Sequence, residues 1–290
     1  MLESILSFKT IRRSPWDAFI LGVILTTASI FAGYYLSYFI EASASILALA
    51  LLIISLAPLM HGMLSKEYDT DEEIVKKHGH HSFMRHADTI AIYSFLFLGM
   101  MAAFCFWFSF LPAESSGLLP SYNAVFDEQL NAYGALTRQT ATGHFVACNA
   151  CFDMLYKNNL NILIYCFLAS FLFGVGAIWL LSWNASIIAV AIGMKIRQEL
   201  ANIGFLHAYF MGFSKYSLGM AVWAVPEVGA YFVAALSGGI ISVAVSRHHF
   251  LSREFWFAVY DALLLLALAV LLVILGAYIE HYFVPLSACI

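Results

Sequence analysis

Few residues of this 290-residue chain can do chemistry, and the sharpest of them lie in unusual surroundings. Pro226 and Glu227 sit side by side in "LGMAVWAVPEVGAYFVAALSGGIISVAV", 218–245, a run with no other charge. An ionisable group in such a run is costly and points to function by default. Proline removes a backbone donor and frees the carbonyl one turn earlier. The pair predicts a broken helix, with Glu227 opening the second half, where the positive helix end suits a carboxylate. Two roles stay open for Glu227: a buried cap bonded to backbone, or a proton or transport group. His207, Lys215 and Asn184 are its candidate partners. Glu280, in "LGAYIEHYFVP", is the other deep carboxylate and reads as interfacial or capping. Asn158, Asn159 and Asn184 bracket "LFGVGAIWLLSW" with its Gly174 and Gly176. They read as helix ends and packing sites.

The histidines and cysteines carry less. On a helix, His144, Cys148 and Cys151 of "GHFVACNAC" fall at i, i+4 and i+7, on one face. One Cys-x-x-Cys is weak for zinc, which commonly uses two such pairs. Small cysteines buried in an amphipathic helix are the plainer reading. Cys105, Cys166 and Cys289 read as packing. His78, His80, His81 and His86 fit no closed zinc pattern and read as solvated loop residues. The chain has no nucleophile elbow, phosphate-cradling glycine loop or His-Glu-x-x-His. No catalytic residue, metal or cofactor is expected, and the protein is expected not to be an enzyme.

The elements that must position these residues are membrane helices. The chain is 62% hydrophobic and 11% charged, with mean hydropathy +0.83. A soluble domain carries about a quarter charged residues. Five spans are plain: Asp17–Ile40, Ala44–Leu64, Thr89–Leu111, Leu160–Trp183 and Phe255–Phe283. The region Ile203–Val245 is about twice the length of one crossing. It reads as one long kinked helix, two helices or a re-entrant hairpin. Lys9, Arg12, Arg13, Lys66, Lys76, Lys77, Arg85, Lys195 and Arg197 fall on one side if the first four spans alternate, so that side is expected to be cytoplasmic. Arg247 and Arg253 join them only if 203–245 enters and returns, so an even number of passes or a re-entrant loop is preferred there. The 66–88 segment is then a charged cytoplasmic loop with a helix leading into the third span. The 112–157 segment is exoplasmic, and its "ATGHFVACNACFDMLYKNN" reads as an amphipathic surface helix. The Lys and Arg form no basic stripe, so no nucleic-acid partner is expected. No signal peptide and no internal repeat are apparent.

Four stretches, in order, resemble the stage II sporulation protein M family. "ESILSFKTIRRSPWDAFILG" is similar to the N-terminus of its archaeal members. "NNLNILIYCFLASFLFGVGAIWLLSWNASIIAVAIG" resembles the family's signature helix, and "VPEVGAYFVAALSGGIISVAV" its His-Gly-x-x-Glu segment, with Glu227 matching the Glu. "GAYIEHYFVP" resembles its closing Ile-Glu pattern, matched by Glu280 and Pro285. The family's His and Gly are replaced by Trp223 and Ala224, which favours architecture over chemistry at Glu227. The resemblance implies a multi-spanning protein without enzymatic activity, with a scaffold habit. The namesake resembles an anchor for peptidoglycan-degrading partners.

The expectation is one all-α domain over 1–290, a polytopic transmembrane helical bundle of six to seven membrane segments. Its location is a cell membrane, with the N-terminus cytoplasmic. The expected function is a scaffold or anchor for membrane or envelope proteins; a transporter, channel or lipid-handling protein using the break at Glu227 is the alternative. Expected partners are membrane lipids, other membrane proteins and a second copy. The homodimer would form through the small-residue stripe Ala230, Ala234, Gly238 and Ser242.

Overall fold

The computed structural model describes residues 15–76, 86–116, 118–141, 148–174, 176–199, 205–247 and 252–283. Its elements are α1 (Pro15–Ile40), α2 (Ala44–Lys76), α3 (Ala87–Phe110), α4 (Tyr122–Val125), α5 (Asp127–Ala141), α6 (Cys148–Phe173), α7 (Ala177–Glu199), α8 (Phe205–Arg247) and α9 (Arg253–Phe283). Among the described residues the sole extended pairing is an isolated bridge between Ser116 and Leu119. Six helices (α1, α2, α3, α7, α8 and α9) are long and apolar enough to cross a membrane. The protein is an all-α, multi-pass integral membrane protein. Its outer surface fits that environment: Ile20, Ile24, Ile54, Leu172, Trp179, Leu263 and Leu271 are all exposed. In lipid, apolar exposure carries no hydrophobic cost, and close packing with internal polar bonds holds the helices together instead.

Side-chain contacts fix the direction of every long helix. Gly33 of α1 lies against Ala44 and Ala48 of α2, so these two are antiparallel. α3 runs with α1: Trp16 packs edge-on against Phe95, and Trp107 Nε1 donates to Thr27 Oγ1 at 3.0 Å. α7 runs with α3, since Ser182 donates to Met100 Sδ at 3.6 Å, Gly193 meets Phe108, and Arg197 reaches Leu111. α6 runs with α8, through Tyr231 on Asn159 and Gly238 on Phe167 and Phe171. α9 opposes α8: Ser237 donates to the Ala262 carbonyl at 2.7 Å, and Gly276 faces Glu227. One face of the bundle, the N-terminal face, therefore carries the start of α1, Lys66, the start of α3, Arg247 and Arg253. The opposite face carries Ile40, Phe110, α4, Arg197 and Glu280.

This path departs from the sequence expectation in four places. The span expected at Leu160–Trp183 is two helices. α6 ends at Phe173 and α7 begins at Ala177, with Gly174 at φ 64° between them. That left-handed backbone disfavours any residue with a Cβ, so Gly174 is a turn residue rather than a packing residue. Gly176 is a close-approach point, because a Cβ there would strike the Ala169 carbonyl. The turn lies beside Ser242, five residues before α8 ends, about 7.5 Å along the helix. It supplies the extra chain reversal that the charges demanded, so Arg247 and Arg253 do reach the N-terminal face. Lys195 and Arg197 go to the opposite one.

The second departure concerns only the break: of the readings open for 203–245 the single helix holds, and α8 runs for 43 residues through Pro226. Helix bonds have no water to replace them in hydrocarbon, so the chain keeps its ladder around the one lost donor. Burial changes at this point instead. Ala208, Tyr209 and Gly212 are buried against α3 and α7, Leu206, Phe210, Met211, Leu218, Val222 and Val225 are exposed, and every residue from Ala230 to Ile240 is buried. Third, the piece read as a separate amphipathic surface helix is, from Cys148 onward, the first turns of α6. Fourth, the charged helix after Lys66 extends α2 to Lys76 rather than leading into α3.

Polar pins fasten the ends. The half-buried Arg197 donates through Nη1 to the carbonyls of Phe108, Ser109 and Leu111 at 2.8, 3.0 and 3.0 Å. Its guanidinium stacks 3.9 Å over Tyr122. It thus satisfies carbonyls left open at the end of α3 and complements the negative helix end. Asp127 of α5 accepts from Ser43 at 3.0 Å and Ser45 at 2.6 Å, tying the outer segment to the start of α2. At the other face Arg247 pairs with Asp69 and Ser65.

Two outcomes test this architecture by thermal unfolding in detergent. Arg197→Ala lowers stability by about 2–3 kcal/mol, the loss of hydrogen bonds to a charged group, and Arg197→Lys recovers only part because it lacks the planar fork. Gly174→Ala costs about 1–2 kcal/mol, whereas Gly62→Ala, with open space around it, costs nothing. Equal effects at the two glycines would refute the turn.

Candidate functional site

Three helices bring the costly polar residues together. α6 contributes Asn159, α8 contributes Pro226, Glu227 and Tyr231, and α9 contributes Gly276 and Glu280. Antiparallel α8 and α9 place the two carboxyl groups face to face, although 53 positions separate Glu227 from Glu280 in the chain. Gly276 makes the approach possible: a Cβ there would collide with Glu227 Cγ and crowd its Oε1. Both carboxyl groups are half-buried. The site lies toward the face that carries Arg197, just before the fully buried stretch of α8.

The neutral partners come from α6. Asn159 is 5% exposed, and its Oδ1 accepts from the Tyr231 hydroxyl at 2.9 Å. The Asn159 amide faces Glu227. Two atoms here are buried without a hydrogen-bond partner, Asn159 Nδ2 and Glu227 Oε1. One is a donor and the other an acceptor, so each is the kind of group the other lacks. A buried polar atom left unpaired costs about 1–3 kcal/mol. Among the described residues no Lys, Arg or His forms an ion pair with either carboxyl group. The site is therefore two carboxyl groups in contact, faced by an amide, a phenol and apolar helix.

Other residues singled out in the sequence lie elsewhere. Glu227 caps no backbone, and none of its expected partners reaches it. His207 and Lys215 are exposed, and Lys215 joins Tyr216 on Glu199 at 3.3 and 2.6 Å. Asn184 lies inside α7 and donates to its own helix at the Leu180 carbonyl, 2.8 Å away. Asn158 and Asn159 lie inside α6, so none of the three asparagines is a helix end; Asn158 is exposed. Glu280 is neither a cap nor a free interfacial group but the partner of Glu227.

The small-residue stripe is covered within the chain. Ala230 and Ala234 are fully buried, and Gly238 receives the backbone of α6 at Phe167 and Phe171. Ser242 sits beside the α6–α7 turn. The stripe joins α8 to α6 and offers no free surface to a second copy.

A second buried pair was missed from the sequence. His86 is 0% exposed and Asp261 4%, with His86 Nε2 2.9 Å from Asp261 Oδ2. His86, read as a solvated loop residue, is buried at the start of α3. Asp261 sends the same signal as Glu227, a lone carboxylate in the apolar run "FAVYDALLLL". His78, His80, His81, His144 and Pro285 lie outside the described residues, as do the side chains of Cys148 and Cys151. Among the described residues no three His, Cys, Asp or Glu converge to hold a metal ion.

No family model, no curated protein and no solved structure matches the chain.

Proposed function

We propose that this protein is a non-enzymatic, cation-linked membrane transport protein, and that Glu227 and Glu280 are the groups that load and release the ion. One observation carries the reading: two carboxyl groups on different helices face each other without a basic partner. A carboxyl pair is a poor structural device, because like charges in contact repel and burial adds to the cost. It is a good device for taking up a positive ion. The half-burial of both groups and their place just before the fully buried stretch of α8 support access from the adjoining face.

The charge distribution supports a cell-membrane location with the N-terminal face cytoplasmic. Lys66, Arg247 and Arg253 lie on that face, and Lys9, Arg12, Arg13, Lys77 and Arg85 adjoin it in sequence. Lys195 and Arg197 lie on the other, an imbalance that follows the positive-inside rule.

A scaffold or anchor for envelope proteins is the second reading. What favours it is the outer segment α4–α5, held against α2 through Asp127, Ser43 and Ser45.

The full-length protein in vesicles, with trapped dyes for H+, Na+ and Ca2+, separates the two. The transport reading expects flux of one of these ions under an imposed gradient. It expects Glu227→Gln and Glu280→Gln each to lower the rate at least tenfold while the protein stays monodisperse. Gly276→Ala, which pushes the carboxyl groups apart, lowers it too. A wild-type protein that moves none of the three, or glutamine variants at full rate, would sink transport through this pair and leave the anchor.

A further inference from the structure

The polar atoms left open at the carboxyl pair say which ion it takes, given that the pair is the functional centre. Asn159 is turned so that its acceptor is spent on the Tyr231 hydroxyl while its free donor, Nδ2, is buried on the side of Glu227. A site for Na+ or Ca2+ is built the other way, with amide oxygens inward. Ca2+ takes about six to eight oxygen ligands. Here the described side chains offer only the two carboxyl groups, and an N–H donor faces them where a further oxygen ligand would have to be. A proton needs no such shell. It needs two acceptor oxygens in contact, and the pair supplies them. We propose that Glu227 and Glu280 bind one shared proton in preference to a metal ion, with Asn159 positioning the pair.

The step balances without any other reagent. On loading, one carboxylate oxygen takes a proton from hydronium arriving from the face that carries Arg197, leaving water. The new O–H donates to the carboxylate of the other helix. The single negative charge that remains is met by Asn159 Nδ2. On release the O–H bond breaks and the proton returns to water. The titratable groups about the pair are Tyr231 from the helix of Glu227 and, next to Glu280 on α9, His281, whose ring packs edge-on against Phe152 of α6. α6 presents the neutral Asn159, with Cys166 beside Tyr231. Nothing in this set puts a fixed positive charge against the pair, so the proton itself is the counter-charge.

A hydrophobic carbodiimide tests this on the full-length protein in lipid, because it adds to a carboxyl group only while that group holds a proton. Mass spectrometry of peptides should find one adduct per chain, on Glu227 or Glu280. The yield should fall as pH rises and stay unchanged under a large excess of Na+ or Ca2+ at constant pH. Asn159→Leu removes the donor that stabilises the anion, so its labelling curve should move to higher pH by about one unit, a tenfold change in proton affinity. A purely structural role for Asn159 would change the amount of folded protein and leave that curve in place. Suppression of the adduct by Na+ or Ca2+, or no adduct on either residue at any pH where wild type is folded, overturns the proposal. Failure here is distinct from failure of transport. Cation-protected carboxyl groups with cation flux retain transport and reject the proton. A proton-dependent adduct without flux of any ion retains the proton site and rejects transport.

Discussion

A peptide backbone in hydrocarbon has no water to bond, so a chain can reverse inside a membrane only where other helices cover it. The turn between α6 and α7 depends on that cover. On its inner side Met60 of α2, Tyr93 of α3 and Ala235 of α8 line a small gap with Ser170, Gly174 and Ala177, while Leu172 and Phe173 are exposed on the outer side. Gly174 supplies the left-handed step that reverses the chain within three residues. Everything downstream follows. The reversal sends α7 up beside α3 and α8 down beside α6, so α8 ends on the N-terminal face. α9 then returns beside α8, and their antiparallel pairing brings Glu227 and Glu280 to one level.

The polar contacts then fall into two kinds. Those at the ends close open backbone groups or join helices by charge: Arg197 on the carbonyls of α3, Asp127 on the two serines before and at the start of α2, Arg247 on Asp69 and Ser65. Each has a clear structural purpose. His86 and Asp261 likewise form a complete pair between α3 and α9. The cluster of Asn159, Glu227 and Glu280 differs. It joins acid to acid and leaves a donor and an acceptor open side by side. That contrast within one molecule is the reason to place function there.

Much of this was legible in the sequence, and the rest was hidden for identifiable reasons. α1, α3 and α9 match their apolar runs to within two residues at each end, because polar residues bound those runs. The α6–α7 turn was not legible, because "FLFGVGAIWL" stays apolar through it and carries no polar punctuation. Pro226 suggests a break because it lacks a donor and frees a carbonyl one turn earlier. In lipid the ladder is worth more, and the helix ran on. Each of Glu227, Glu280 and Asn159 was recognisable alone as a costly residue. Their contact was not, because it depends on which helices lie side by side and on Gly276 letting α9 approach Glu227. Asp261 was missed for a simpler reason: it lacks the proline that drew the eye to Glu227.

The length of α8 has a mechanical consequence. Its 43 residues extend about 65 Å, against a hydrocarbon core of about 30 Å. The half after Pro226 is clamped by α6 and α9. The half before it is pinned at its start, where Tyr209 donates to the Ala102 carbonyl, Gly212 meets Ile196 and Tyr216 donates to Glu199, and it exposes Leu218, Val222 and Val225 beyond. Hydrophobic mismatch therefore bears most on the stretch between Tyr216 and Pro226. Any change in bilayer thickness that re-tilts that stretch concentrates its bending at the position missing a backbone bond. The first side chain past that position is Glu227, so bending of α8 at Pro226 falls beside the carboxyl pair.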